Sequence, residues 1–397
     1  MRGLRLGLGM NNAAPTASAG ADWTAFDNSN SAAITNLFTA SGGMGQSNER
    51  MSLLYSSDTE AVLLYSTGDT SPTEPRAVVL DISSNIFQVE TTNTALDLGG
   101  DTEGTYGIWL DDAKTRILFV QLNKPASPDN TKFSILSKSG KTLAELDSDT
   151  VSTANGHTIS TAVTRLSDTK VAVVFAEAGF PGDTYTVVVD CASDTVTVGT
   201  PLALGTMSDT GEYHSVAAVS DSAYFVTDGI NIHYITVSGT TPTNAGSLNE
   251  VSGGTLVIND SLVKNSDTTV LMVYQTSAAN NATDAVVFTW TGSAITRGTV
   301  VTVGDDEVRR QGMSNLVFLV NNQYAYSYRN LDNSNRAYLI TMSVSGTAIT
   351  ADTNVQTGNN VIGTGPVIAT SDDGGRIFYV YVDASTSSQL GTRVLFP

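Results

Sequence analysis

The chain reads as an all-β protein, a seven-bladed β-propeller of four-stranded antiparallel blades. The first observation behind this is a pattern that recurs seven times: a β-rich strand, a turn of Ser, Asp or Asn, and a second, more apolar strand. The turns are Ser57-Asp58-Thr59, Asp111-Asp112-Ala113, Ser167-Asp168-Thr169, Ser220-Asp221-Ser222, Ser266-Asp267-Thr268, Asn321-Asn322 and Asp372-Asp373-Gly374. The second is the period. With Val62, Ile117, Val171, Tyr224, Val270, Ala325 and Ile377 taken as equivalent, the steps are 55, 54, 53, 46, 55 and 52 residues. That is close to the roughly 40–50 residues of a four-stranded blade; solenoid repeats, the alternative, are shorter and more uniform. The third is composition: 35 Gly, 10 Pro and abundant Thr, Ser, Val and Asp, with almost no helix-period segment, which indicates short strands joined by tight turns.

The elements follow in order. Blade 1 is expected at Met51–Ser56, Ala61–Ser66, Arg76–Ile82 and Phe87–Thr92, and blade 2 at Tyr106–Leu110, Arg116–Leu122, Lys132–Ser137 and Thr142–Leu146. Blade 3 takes Thr158–Leu166, Lys170–Ala176, Tyr185–Cys191 and Val196–Leu202. Blade 4, the shortest, takes His214–Val219, Ala223–Thr227, Ile230–Val237 and an irregular last strand. Blade 5 takes Val257–Val263, Thr269–Thr276, Ala285–Thr291 and Ala294–Val303; blade 6 takes Met313–Val320, Gln323–Arg329, Ala337–Val344 and Ala348–Val355. Second strands such as Val171-Ala-Val-Val-Phe175 are continuous apolar runs, as expected of strands covered on both faces. The polar loops after them, such as Gly68–Pro75 and Asn123–Asn130, gather on one side of the disc and suit variable contacts.

Blade 7 offers Gly365–Thr370, Arg376–Asp383 and Leu390–Phe396 and lacks a fourth strand. Ser31-Ala-Ala-Ile-Thr35 matches Gly292-Ser-Ala-Ile-Thr296 and Gly346-Thr-Ala-Ile-Thr350, which open fourth strands. Residues 31–41, with Ile34 and Leu37 on the closing strand, therefore complete the last blade and close the ring. The propeller covers 31–397, preceded by an extended arm, residues 1–30. Leu4, Leu6 and Leu8 alternate with Arg5, Gly7 and Gly9. That suits a strand added to a partner's sheet edge, or one folded back on its own propeller. Arg2 and Arg5 before a short apolar stretch resemble a signal peptide superficially, and the segment reads as retained.

The formal net charge is −19 with pI ≈ 4.3. Such a surface repels phosphate and argues against direct nucleic-acid binding. Much of the acidity falls in the Asp turns, where it serves solubility; salt adaptation or recruitment of divalent cations is the sharper alternative. No segment has the length and apolarity of a membrane span. The single cysteine, Cys191, excludes an intramolecular disulfide and reads as a buried strand thiol.

The chemistry-bearing candidates are sparse. Of the three histidines, His157, His214 and His233, the first two sit near the first strands of adjacent blades, without metal-ligand spacing. Ser371-x-Asp373-x-Gly375-x-x-Phe378 resembles the Asp box of sialidases, a structural turn motif. A sialidase also needs an arginine cluster, and Arg309 and Arg310 are adjacent and point apart in an extended segment. Asp305-Asp306-Glu307 and Asp209-x-x-Glu212 are candidate Ca²⁺ ligands or solvated acidic loops, with no EF-hand motif. There is no phosphate-binding Gly loop and no Gly-x-Ser-x-Gly elbow. The expectation is a non-enzyme with no cofactor.

Arg5-Leu-Gly-Leu-Gly9 before an Ala/Pro/Ser stretch, and the wording Thr289-Trp-Thr-Gly-Ser-Ala-Ile-Thr296 and Val344-Ser-Gly-Thr-Ala-Ile-Thr350, resemble tailed-bacteriophage virion proteins. The resemblance implies a structural subunit of a head or tail, made in the host cytoplasm. Arg2, Leu4, Arg5, Leu6 and Leu8 would anchor it to other virion proteins, and the disc would face a host-surface glycan or protein. The rival expectation is a lectin-like or carbohydrate-active propeller.

Overall fold

The computed structural model describes residues 35–36, 51–66, 74–83, 86–88, 95–100, 102–123, 130–151, 158–177, 183–206, 214–249, 257–276, 282–304, 308–309, 316–330, 336–357, 366–383 and 389–396. They form seven antiparallel sheets; six run in chain order from an inner first strand to an outer fourth, and the seventh takes its outer strand from Thr35–Asn36 near the start of the chain. The first strands touch one another in sequence around a ring. Ser52–Ser57 meets Thr102–Trp109, then come Thr158–Ser167, Val216–Ser220, Val257–Lys264, Leu316–Phe318 and Val367–Thr370, which returns to Ser52–Ser57. The fold is the seven-bladed propeller that the repeat predicts. Among the described residues the helical content is one 3₁₀ turn, Ala192–Asp194, and no helix is long and apolar enough to cross a membrane.

The second strands explain why the period is legible. Glu60–Ser66, Arg116–Asn123, Lys170–Glu177, Ala223–Thr227, Thr269–Thr276, Gln323–Asn330 and Ile377–Asp383 lie in the middle of their sheets, sandwiched between neighbouring blades. Alternate side chains face opposite neighbours. Ile117 and Phe119 pack back on blade 1, whereas Leu118 and Val120 pack forward on blade 3. Both faces must therefore be apolar, and a fully buried Val, Leu or Phe contributes about 1.5–3 kcal/mol. Between inner strands, hydroxyls and an indole replace the missing ladder. Thr164 Oγ1 accepts from Ala218 N at 3.0 Å, Ser215 Oγ from Leu262 N at 2.7 Å, and Trp109 Nε1 donates to Tyr55 O at 2.8 Å.

The ring closes as the motif likeness predicts. Thr35–Asn36 pairs with the third strand of blade 7, Thr35 opposite Thr392 and Asn36 opposite Gly391. Ile34 and Leu37, like the arm with Arg2, Leu4, Arg5, Leu6 and Leu8, lie outside the described residues.

Several strands depart from expectation. The last strand of blade 4 is continuous and nine residues long, Thr241–Asn249, with one irregularity in its pairing opposite Tyr234 and Ile235. It is a rim strand with mostly exposed side chains, so it lacks an apolar run, and Pro242 is tolerated there because an edge strand needs fewer backbone donors. The outer strands of blades 3 and 5 are each split, into Thr197–Val198 and Leu202–Thr206, and into Ile295–Arg297 and Val301–Gly304. At the splits Gly199 N donates to Val188 O at 2.9 Å and Gly298 N to Val287 O at 2.8 Å. A Cβ on Gly199 would lie 2.4 Å from Thr240 O of the next blade, so contact with the neighbour dictates the break. The first strand of blade 6 is also divided, Val308–Arg309 before Leu316–Phe318.

Candidate functional site

The hairpins between first and second strands emerge on one face of the disc, and three of their acids, Asp58, Asp112 and Asp372, are engaged with other blades. In blade 7, Ser371 Oγ donates to Asp373 Oδ1 at 2.5 Å, while Gly375 N donates to the same oxygen and Arg376 N to Ser371 Oγ, each at 3.0 Å. The Asp-box-like motif is thus a self-closed turn. Its Asp372 accepts Lys114 Nζ from blade 2 at 2.8 and 2.9 Å, with Lys114 lying 4.3 Å from the ring centroid of Tyr55 in blade 1. Tyr55 Oη donates to Asp58 Oδ1 at 2.6 Å, and Asp58 pairs with Arg376 of blade 7. Burial, and then the charge of Asp372, push the Tyr55 phenol up to about 12. Burial lowers the Lys114 pKa, and the hydrogen bond to Asp372 opposes it.

The same face links blades 2 and 3. Arg165 pairs with Asp112 at 2.7 Å and with Asp168, and Arg116 reaches Asp194 at 3.1 Å and the Asp168 carbonyl at 3.0 Å. Further round, Lys264 donates to the Val219 carbonyl of blade 4 at 2.7 Å. Exposed ion pairs contribute little singly. Here they hold hairpins from different blades in fixed relation, which is a structural task.

The opposite face carries the loops, and its buried layer is polar. Four residues beyond the equivalent positions come Ser66, Gln121, Phe175, Asp228, Tyr274, Arg329 and Tyr381, all buried. Thr105 and Thr161 on the first strands nearby, and His214 just before the first strand of blade 4, are buried too. Polar groups at this depth need partners. Asp228 has several: Oδ1 accepts Ile230 N at 2.9 Å and Asn231 N at 2.6 Å, and Oδ2 accepts Asn231 Nδ2 at 3.2 Å and His233 Nε2 at 2.8 Å. Asn244 Nδ2 donates to His233 Nδ1 at 3.0 Å, its orientation set by Gly246 N donating to Asn244 Oδ1 at 3.1 Å. A donor on Nδ1 makes Nε2 the protonated nitrogen. Both ring nitrogens of His233 are then occupied, which leaves none for a metal or a proton transfer. Burial raises the Asp228 pKa, but the hydrogen bond from His233 and the two backbone N–H bonds outweigh it, and the net shift is downward.

The structure thus brings together a pair, Asp228 and His233, of which sequence reading marked only the histidine. The available signal was Asp228-Gly229, a turn dipeptide between two strands, with Gly229 at φ 86°. His214 is buried beside Thr227, whose Oγ1 accepts Ser215 N at 2.8 Å. His157, Arg310, Asp209, Glu212 and Asp305-Asp306-Glu307 lie outside the described residues. Arg309 is placed in backbone register opposite Arg329, so it belongs to blade 6 and pairs across strands with a distant arginine, an arrangement the adjacent Arg309-Arg310 dipeptide does not suggest. Among the described residues no group of three His, Cys, Asp or Glu could hold a metal ion. Cys191 is buried, and burial, then Asp190, push its thiol up to about 12.

No family model matches the chain, and no curated protein matches it. Solved structures do. A protein from Bacteroides uniformis named "putative 6-phosphogluconolactonase" aligns at 13% identity and TM-score 0.51, over 84% of this chain and 94% of its own. Sqt1 from Chaetomium thermophilum aligns at 11% identity and TM-score 0.52, over 88% and 83%. A protein of unknown function from Dyadobacter fermentans aligns at 13% identity and TM-score 0.51, over 92% and 98%. At such identities the likeness is one of fold, and propellers host many unrelated activities.

Proposed function

We propose that the protein is a non-enzymatic structural component of a tailed-bacteriophage particle. It would be a tail, fibre or head-decorating subunit that presents its propeller to other proteins or to a host surface. The observation that carries this reading is the point of entry of the chain. Thr35–Asn36 is the outermost strand of blade 7, so the arm before it joins the disc at the rim, where it can reach a neighbour without crossing either face. The engagement of Asp58, Asp112 and Asp372 in bonds between blades supports giving outward contact to the loop face. Deleting residues 1–30 tests the anchoring role. The expected result is a folded propeller by circular dichroism that is absent from purified particles; incorporation at normal copy number would overturn it.

A second reading, a carbohydrate-binding or carbohydrate-active propeller, is favoured by the buried polar layer beneath the loop face. The name borne by the Bacteroides neighbour adds a sugar lactone to the substrates worth assaying. Glycan-array binding, or hydrolysis of 6-phosphogluconolactone by the isolated chain, would favour this reading over the first.

A further inference from the structure

We propose that Lys114 is a latch that holds blade 7 in the ring, and that blade 7 is the unit that opens when the latch lets go. Blade 7 is the sheet assembled from both ends of the described chain: Thr35–Asn36 pairs beside Gln389–Leu395, Ile377–Asp383 and Val367–Thr370. Lys114 belongs to the blade 2 hairpin, yet its Nζ donates to both carboxylate oxygens of Asp372 in blade 7, at 2.8 and 2.9 Å. On the way it passes the Tyr55 ring of blade 1, 4.3 Å from the centroid. Tyr55 in turn stacks on Phe378 of blade 7 at 5.2 Å, and its carbonyl accepts Trp109 Nε1 of blade 2 at 2.8 Å. One lysine therefore ties three consecutive blades together.

The backbone beneath that side chain is the independent observation. Lys114 has φ 56°, in the left-handed region that strains an L-residue and that glycine enters freely. The other non-glycine residues with positive φ among those described are Ser193, Asp194, Asn321 and Asn322, all short and polar. The matching position of the blade 7 turn is a glycine: Lys114 N donates to Asp111 O at 3.2 Å, as Gly374 N does to Ser371 O at 2.9 Å, and Gly374 has φ 64°. A long side chain where the turn favours glycine marks a place where the side chain has a task. The task has an opposing surface. On its other flank the blade 7 hairpin lies against blade 6 backbone, where a Cβ on Gly374 would come within 2.8 Å of the Leu319 carbonyl carbon. The hairpin is thus clamped between blade 6 and Lys114. Asp58 also ties the turn to blade 1 through Arg376, but its side chain is 66% exposed against 9% for Lys114, and an exposed pair holds weakly.

Amide hydrogen exchange of the full chain tests this with two variants. Lys114→Met keeps the stem and the strained backbone but removes the charge. Lys114→Gly relaxes the turn while deleting the latch, so its folding is not at risk. Both should speed exchange in blade 7, residues 367–383 and 389–395, by about fivefold or more, and leave blade 4, residues 216–249, at the wild-type rate. A second measurement uses the clamp. With Lys114 in place the turn cannot retreat from blade 6, whereas in Lys114→Met it can. The drop in urea midpoint caused by Gly374→Ala should therefore shrink by about half or more in the Lys114→Met background. Wild-type exchange in blade 7 of both variants, or exchange that rises equally in blades 4 and 7, would overturn the proposal. So would a Gly374→Ala loss that is the same in both backgrounds.

Discussion

Replacing Gly374 by alanine probes how blade 7 is seated against blade 6. Gly374 sits in the blade 7 hairpin at φ 64°. An L-residue in that region costs about 1–2 kcal/mol, part of which is returned by the reduced freedom of the unfolded chain, about 0.4–1 kcal/mol. Its new Cβ would also lie 2.6 Å from Val320 Cγ1, 2.8 Å from the Leu319 carbonyl carbon and 3.0 Å from its oxygen. Two of these atoms are backbone, so a rotamer change cannot relieve the contact. Nor can the hairpin retreat, because Lys114 holds Asp372 at 2.8 Å and Asp58 holds Arg376. Overpacking of this kind costs about 1–3 kcal/mol, for a total loss of about 2–4 kcal/mol. The controls are Gly140→Ala and Gly239→Ala, at φ 55° and 63° with nothing within 4 Å of the added carbon. They carry the backbone cost alone, about 1 kcal/mol. Urea unfolding of the three variants measures the difference. If Gly374→Ala loses no more than Gly140→Ala, the hairpin is not wedged against blade 6 and the reasoning fails.

Three further outcomes are expected. His233→Ala strips the buried Asp228 carboxylate of its histidine and should cost about 3 kcal/mol at pH 7 in urea unfolding, whereas a loss below about 0.5 kcal/mol would mean the pair contributes nothing. Because the folded Asp228 pKa lies below its ordinary 3.8, wild type owes this carboxylate stability that is full above that value and disappears as pH falls through the lowered one. The gap between wild type and variant should therefore narrow in acid. At high pH the sign is opposite: Tyr55 and Cys191 are raised to about 12 from 10.0 and 9.0, and burial raises Tyr224, Tyr324 and Tyr379 further. The unfolded chain loses these protons first, so stability is full below pH 9 and falls through pH 10 toward 12; Lys114 and Arg393, lowered by burial, work the other way as two groups against these five. A urea midpoint unchanged between pH 8 and about 10.5 would contradict this. Trp290→Ala removes a ring stacked on Tyr234 at 4.3 Å and covering Gly246 of blade 4; differential scanning calorimetry should register a loss of about 2 kcal/mol, and an unchanged melting temperature would show that the stack adds nothing between blades 4 and 5.

The sequence is most transparent where burial is symmetrical. Val171-Ala-Val-Val-Phe175 reads as a strand covered on both sides because blades do flank it. Ser31-Ala-Ala-Ile-Thr35 reads as a fourth strand because its likeness to Gly292–Thr296 and Gly346–Thr350 reflects one environment, the rim partner of a third strand. Thr241–Asn249 was opaque for the converse reason: a rim strand faces water, so backbone pairing alone defines it. The candidate site was less legible still. His233 was visible as a rare residue, but its role depends on Asn244 and Asp228 supplying the right donor and acceptor, which is a matter of geometry.

By itself, then, the amino-acid order determined the blade count, the four-strand order, the hairpin positions and the strand that closes the ring. Each of these is written locally, in a two-sided apolar run, a turn residue or a recurrent motif. Only the tertiary structure decided which hairpin meets which. Lys114 and Asp372 stand 258 residues apart and meet across blade 1; Gly199 and Gly374 yield to backbone from other blades. No local pattern encodes such contacts, because they exist only once seven sheets have closed into a ring and each blade has acquired both of its neighbours.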